Sequence, residues 1–243
     1  MDFKNISSKN KFLRIQLIDF FRGLALCAMF IFHFFWNLNY FGIISVSLYS
    51  GFFGLFQKSI LFSFIFISGI SFFLFIQKNG FSKKLLNHLT MLFVASLGIT
   101  IFTFLLFPSR FIYFGVIHLI IFSWIAGIVF VRFPKISLCS GVFVIFVSLF
   151  FNLPRISAGI FFWLGFGSPL PALDFVPVIP WFGVFLIGLF FGKLVMKNKA
   201  FLSKVVLPKK LSFISSIGKK SLFFYLGHQF VLFPLAFLIY FFF

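Results

Sequence analysis

Seven apolar stretches, most near the length of a membrane span and separated by short gaps, dominate the chain. They run over 17–37, 58–77, 89–107, 111–131, 136–152, 177–196 and 220–243. A helix rises about 1.5 Å per residue, so about 20 residues cross the hydrocarbon core of a bilayer. The stretch 136–152 is slightly short and spans only if its flanks snorkel. A soluble domain has a polar surface to build and cannot absorb 62% hydrophobic residues, 50 of the 243 being Phe. In lipid those residues face their solvent. The expected fold class is an all-α polytopic integral membrane helical bundle of about seven transmembrane helices. It forms a single domain over residues 1–243.

The charges support this layout. There are 21 Lys and Arg against 3 acids, for a net charge of +18. Such an excess raises the question of nucleic acid, but these charges sit in gaps between apolar runs and build no basic domain. With the N-terminus in the cytoplasm, 18 of the 21 basic residues fall inside and 3 (Lys58, Arg110 and Arg155) fall outside. One span more or fewer would scramble that segregation. The expected location is the inner cell membrane, with the N-terminus cytoplasmic and the C-terminus outside. The first run is too long for a signal-peptide core, carries Asp19 and Arg22, and lacks a small-residue cleavage site. It reads as a retained helix. Segment 156–167 is apolar but too short and Gly-rich to cross, and is expected at the interface.

Familiar chemistries are missing. No GxSxG, GxxxxGK or HExxH occurs, and with so few acids no metal site is expected. Cys27 and Cys139 lie in apolar runs and read as packing residues. Gly188 and Gly192 form a GxxxG, read as helix packing. No inverted repeat is evident, which disfavours the common transporter plan.

Ionisable groups inside a span are costly, so the few present are functional candidates. Asp19, Arg22, His33 and Asn37 recur on one stripe of the first helix, with Leu26 and Met29 between them. That stripe must face the bundle. Asp19 and Arg22 fit an i,i+3 pair that neutralises itself, and Arg14 is close enough to add a positive excess for phosphate. His118 and His33 are expected at similar depth on the outer side. His228 falls about two turns into the last span from the cytoplasm, on a face with Ser221 and Tyr225. Each His is either an interhelical hydrogen-bonding group or a general base. Asp174 lies among Pro171, Pro177 and Pro180, which forbid regular helix. Such backbone belongs in a protein-lined cavity. There Asp174 either orients a His or binds a substrate amine, or caps a helix or pairs with Arg110 or Arg155. His88, beside Lys83 and Lys84, is expected to be solvated.

The run RIQLIDFFRGLALCAMFIFHFFWNLNYFG (14–42) resembles the opening of bacterial membrane proteins grouped with the catalytic domain of heparan-alpha-glucosaminide N-acetyltransferase. FIFISGISF (64–72), FPSRFIYFGVIHLI (107–120), LDFVPVIPWFGVFLIG (173–188) and IGKKSLFFYLGHQFVL (217–232) fit in order. The resemblance implies an acyltransferase that carries acetyl from cytoplasmic acetyl-CoA to a cell-envelope sugar or related acceptor. It implies a donor site at Arg14, Asp19 and Arg22, and a catalytic group drawn from His33, His118, Asp174 and His228. In the heparan enzyme the catalytic His is associated with the loop after the first helix, whereas 37–57 here contains no His. The expected partners are membrane lipids, acetyl-CoA and a glycan acceptor, with no nucleic acid; a homodimer is compatible with the sequence. The readings from other classes are a proton- or solute-coupled transporter and a non-catalytic membrane subunit.

Overall fold

The computed structural model describes residues 15–151, 161–166, 171–202 and 207–242. The element order is α1 (Gln16–Tyr40), α2 (Gly51–Asn79), α3 (Lys83–Leu106), α4 (Val116–Gly127), α5 (Pro134–Phe150), α6 (Val178–Lys197), α7 (Lys199–Leu202), α8 (Lys209–Lys219) and α9 (Ser221–Phe242). Among the described residues five helices, α1, α2, α3, α6 and α9, are long and apolar enough to cross a membrane, and α4 and α5 are shorter apolar helices. Large side chains such as Phe93, Phe143 and Phe223 are exposed on the outer surface, as lipid-facing residues are. The protein is an all-helical multi-pass membrane protein.

Small residues set the helix contacts, because backbones approach closely only where no side chain intervenes. A Cβ on Gly69 would meet the backbone of Phe185 and Leu189, one on Gly188 the carbonyl of Phe66, and one on Gly192 the side chain of Phe73. The GxxxG of α6 is thus the seam with α2. Next to it, Gly141 and Gly183 bring α5 against α6, and the Ser137 hydroxyl donates to the Leu186 carbonyl at 2.7 Å. Both cysteines are free; Cys27 is partly buried, but Cys139 lies on the exposed face of α5 rather than in packing.

Two departures from the sequence expectation position the site. The fourth apolar run begins as extended chain, not helix. Leu173 N–H donates to the Arg110 carbonyl at 2.8 Å, and Val176 N–H to the Phe114 carbonyl at 3.1 Å. These bonds pair the chain before α4 with the chain before α6, through a parallel bridge at Phe114 and Phe175. The second departure is α8, which lies within the stretch read as a connection. A Cβ on Gly23 would strike the Ile214 carbonyl and one on Gly218 the Asp19 carbonyl, so α8 lies directly along the first turns of α1. Half of the interfacial segment expected at 156–167 is described, with a short 3-10 turn at Phe162–Leu164, whereas the rest of it and the basic residue Arg155 lie outside the described residues.

Candidate active site

The polar stripe of α1 does face the bundle: Asp19, Leu26, Met29 and Asn37 are buried, with Arg22 and His33 partly so. At the basic end, Arg22 Nη1 donates to Asp19 Oδ1 at 3.2 Å and to the Gly218 carbonyl at 3.4 Å, while Nη2 donates to Ser71 Oγ at 2.6 Å. The i,i+3 pair is therefore part of a junction that ties α1 to α2 and α8. Arg14 lies outside the described residues.

Three turns further along α1, His33 meets His228, not His118. The two imidazole rings stand 4.6 Å apart between centroids and nearly perpendicular, at 77°. His228 was expected nearer the basic end because its depth was counted from the end of the last apolar run. Gln16 to His33 is about 25 Å of helix, and Ser221 to His228 only about 10 Å. Since α8 runs beside the first turns of α1, α9 begins well inside the bundle, and the two histidines become level.

Their hydrogen bonds fix both tautomers. His33 Nδ1 lies 2.9 Å from the Met29 carbonyl and His228 Nδ1 lies 2.6 Å from the Tyr225 carbonyl. A carbonyl only accepts, so each Nδ1 carries the proton and each Nε2 presents a lone pair. His228 is only 7% exposed, and its Nε2 has no partner among the described residues. One turn along the seam, Asn37 Nδ2 donates to Gln229 Oε1 at 3.0 Å, leaving the buried Asn37 Oδ1 without a partner as well. Buried acceptors left unmade cost about 1–3 kcal/mol each, so a pair on one seam calls for a function. Gln229 and the Asn37 contact were not foreseen; no local pattern marks a bond between residues 192 positions apart.

His118 is fully engaged. Its Nδ1 accepts from Gly115 N–H at 3.2 Å, so the proton sits on Nε2, which faces Thr100 Oγ1 at 3.2 Å. Thr100 in turn donates to the Ile112 carbonyl at 2.8 Å. Neither ring nitrogen keeps a lone pair for a reacting proton. Asp174 sits at the same helix start. Its carboxylate accepts from Val116 N–H, and a Cβ on Gly115 would collide with Oδ2. Asp174 therefore caps α4, not α6, and makes no ion pair with Arg110 among the described residues. It also lies within electrostatic reach of Tyr225.

Burial pushes the Asp174 carboxyl up to about 6, against the opposing pull of the Val116 N–H. Because the folded value is raised above the unfolded one of about 4, the linked stability is present below pH ~4 and is lost as pH rises through ~6. Asp174→Asn keeps an acceptor for Val116 but no charge. Its thermal inactivation in detergent is therefore expected to be less sensitive than wild type between pH 4.5 and 7.5. Equal pH profiles for the two proteins would refute the assignment.

His88 is half-buried rather than fully solvated. Its ring lies 4.6 Å from Trp124 and 5.7 Å from Phe75, and Trp124 Nε1 donates to Ser68 Oγ at 3.0 Å. No group of three or more His, Cys, Asp or Glu able to hold a metal occurs among the described residues.

The site thus joins an interior imidazole pair to a basic junction at one end of the same helix. The family model for heparan-alpha-glucosaminide N-acetyltransferase, catalytic, matches residues 14–230, from the start of α1 to just past His228. No curated protein and no solved structure matches the chain. With most of its length matched, the protein belongs to the heparan-alpha-glucosaminide N-acetyltransferase catalytic family.

Proposed function

We propose that the protein is a membrane-embedded acyltransferase that moves an acetyl group from cytoplasmic acetyl-CoA to a cell-envelope sugar or related acceptor. The observation that carries this reading is the His33–His228 pair, two interior imidazoles with Nδ1 held by carbonyls and Nε2 available. In this role one Nε2 takes the proton from an acceptor hydroxyl or amine as its oxygen or nitrogen attacks the thioester carbonyl. The carbon–sulfur bond then breaks and the thiol of CoA leaves. The same geometry admits a two-step course, in which Nε2 takes the acetyl group first and yields it to the acceptor.

The donor enters from the basic end, where Arg14 and Arg22, the latter held by Asp19, meet its phosphates and the inner lysines raise the local anion concentration. Arg22 and His33 are eleven residues apart on α1, about 16 Å, so the donor must reach along the bundle as an extended arm. Asp174 and His118 act at one remove, by holding the start of α4. The layout has the N-terminus cytoplasmic and the C-terminus outside, in the inner membrane.

Purified protein in vesicles, given radiolabelled acetyl-CoA on the basic face, is expected to hydrolyse, transfer or retain label. Folded protein that neither binds nor turns over acetyl-CoA would overturn the proposal, and proton-coupled solute flux in the same vesicles would establish the carrier reading.

A further inference from the structure

Tyrosine is scarce in this chain, at 5 residues against 50 Phe. Four of the five stand at the end opposite the basic junction: Tyr40 closes α1, Tyr49 precedes α2, Tyr113 precedes α4 and Tyr240 is in the last turn of α9. A membrane boundary explains those positions, because a phenol there keeps its ring in lipid and its hydroxyl wet. Tyr225 has no such explanation. It lies one turn into α9, half-buried, and packs against the cluster of Leu26, Met29 and Phe32 that surrounds the histidine pair. A chain that fills most aromatic positions with Phe keeps a hydroxyl here, where a phenol ordinarily needs a partner.

The ring of Tyr225 stands 5.9 Å from that of His228 and 6.3 Å from that of Phe64 on α2. Its carbonyl takes the Nδ1 proton of His228 at 2.6 Å, so the two residues are held in one relative orientation. Tyr225 is one turn nearer the basic end than His228, on the side from which acetyl-CoA arrives. Asp174, on the chain before α6, is within electrostatic reach, so the phenol lies in the interior and not toward lipid. The hydroxyl makes no hydrogen bond among the described residues. Both Nδ1 protons of the pair are given to carbonyls and Asn37 Nδ2 to Gln229, which leaves the phenol as the uncommitted donor on that side.

Acyl transfer needs such a donor. As the acceptor atom bonds to the thioester carbon, the carbonyl π electrons move onto oxygen, and in an apolar interior a positioned hydrogen bond is what stabilises that charge. We propose that Tyr225 is a catalytic residue whose phenol O–H donates to the thioester carbonyl oxygen as negative charge develops there. The role rests on the acyltransferase reading. A histidine Nε2 takes the acceptor's proton; when the carbonyl re-forms, the carbon–sulfur bond breaks and the departing thiolate receives that proton. The phenol keeps its own proton throughout, and so serves direct transfer and the two-step course alike.

The test is steady-state transfer from acetyl-CoA by the full chain in vesicles, read together with equilibrium binding of CoA and thermal unfolding. Tyr225→Phe removes only the hydroxyl and is expected to lower kcat by about 10²–10³-fold, the usual loss of one such donor. The Kd for CoA and the unfolding temperature should not change. Tyr240→Phe, at an exposed position on the same helix, is expected to match wild type. A Tyr225→Phe protein with wild-type kcat, with its loss confined to CoA binding, or with a lowered unfolding temperature would overturn the role, the hydroxyl then being a spectator, a binding group or a structural one. Wild type that does not turn over acetyl-CoA overturns the acyltransferase reading and this role with it, whereas active wild type beside an equally active Tyr225→Phe overturns the role alone.

Discussion

Replacing His228 with Gln is expected to lower acetyl transfer from labelled acetyl-CoA by about 10²–10⁴-fold, the usual loss on removing a general base. His33→Gln should lose a comparable factor. Gln fills the imidazole space and retains polarity, so the change removes the Nε2 lone pair without opening a cavity. The two rings touch, so their losses should not add: the double variant is expected to fall little below the worse single one. His118 provides the contrast. Gln at 118 can still accept from Gly115 and donate to Thr100, and is expected to keep transfer within a few-fold of wild type. His118→Ala strips both bonds from the start of α4 and should cost about 1–3 kcal/mol of stability. Single-turnover acetylation separates the two courses: label held on wild type and lost from one His variant identifies the acetyl carrier. Should both His33→Gln and His228→Gln turn over as wild type does, the paired imidazoles are not the base.

Much of the scaffold is legible in hydropathy because lipid imposes a length and a composition on each span. α1, α5, α6 and α9 lie within a few residues of their apolar runs, and α2 and α3 begin six or seven residues before theirs. The stripe of Asp19, Leu26, Met29 and Asn37 is legible for the same reason, since helical period alone sends costly polar groups inward. What stayed hidden is non-local. An extended leg before α4 exists because Arg110 and Phe114 find partners more than 60 residues away, at Leu173 and Val176. No window over 107–120 contains that information. The helix α8 was missed because its mean hydropathy is low, although Leu211, Ile214, Ser215 and Gly218 recur at helical spacing. That omission propagated to the site. Without α8 alongside α1, His228 is placed too near the basic end, away from His33.

The glycine crossing that corrects this depth should also be the most sensitive point of the fold. Gly218→Ala puts a Cβ into the carbonyl of Asp19, and Gly23→Ala puts one into the carbonyl of Ile214. In each case the obstructing atom is backbone, not the tip of a flexible side chain, so α1 and α8 must separate. Separation breaks the Arg22 bond to the Gly218 carbonyl and the Ser215 bond to the Gln16 carbonyl. Overpacking of this kind costs about 1–3 kcal/mol, and here the lost bonds add to it. Gly227→Ala is the matched control: a Cβ there meets nothing within 4 Å, and the helical position gains about 0.5–1 kcal/mol from Ala. Thermal unfolding in detergent should therefore place Gly218→Ala below wild type and Gly227→Ala at or slightly above it. The effect should reach the chemistry, because α9 continues directly from α8 and carries His228. A displaced α8 slides His228 along His33, so Gly218→Ala is expected to lose acetyl transfer even at temperatures where it stays folded. Full activity in a folded Gly218→Ala protein would mean that α8 does not set the level of the histidine pair.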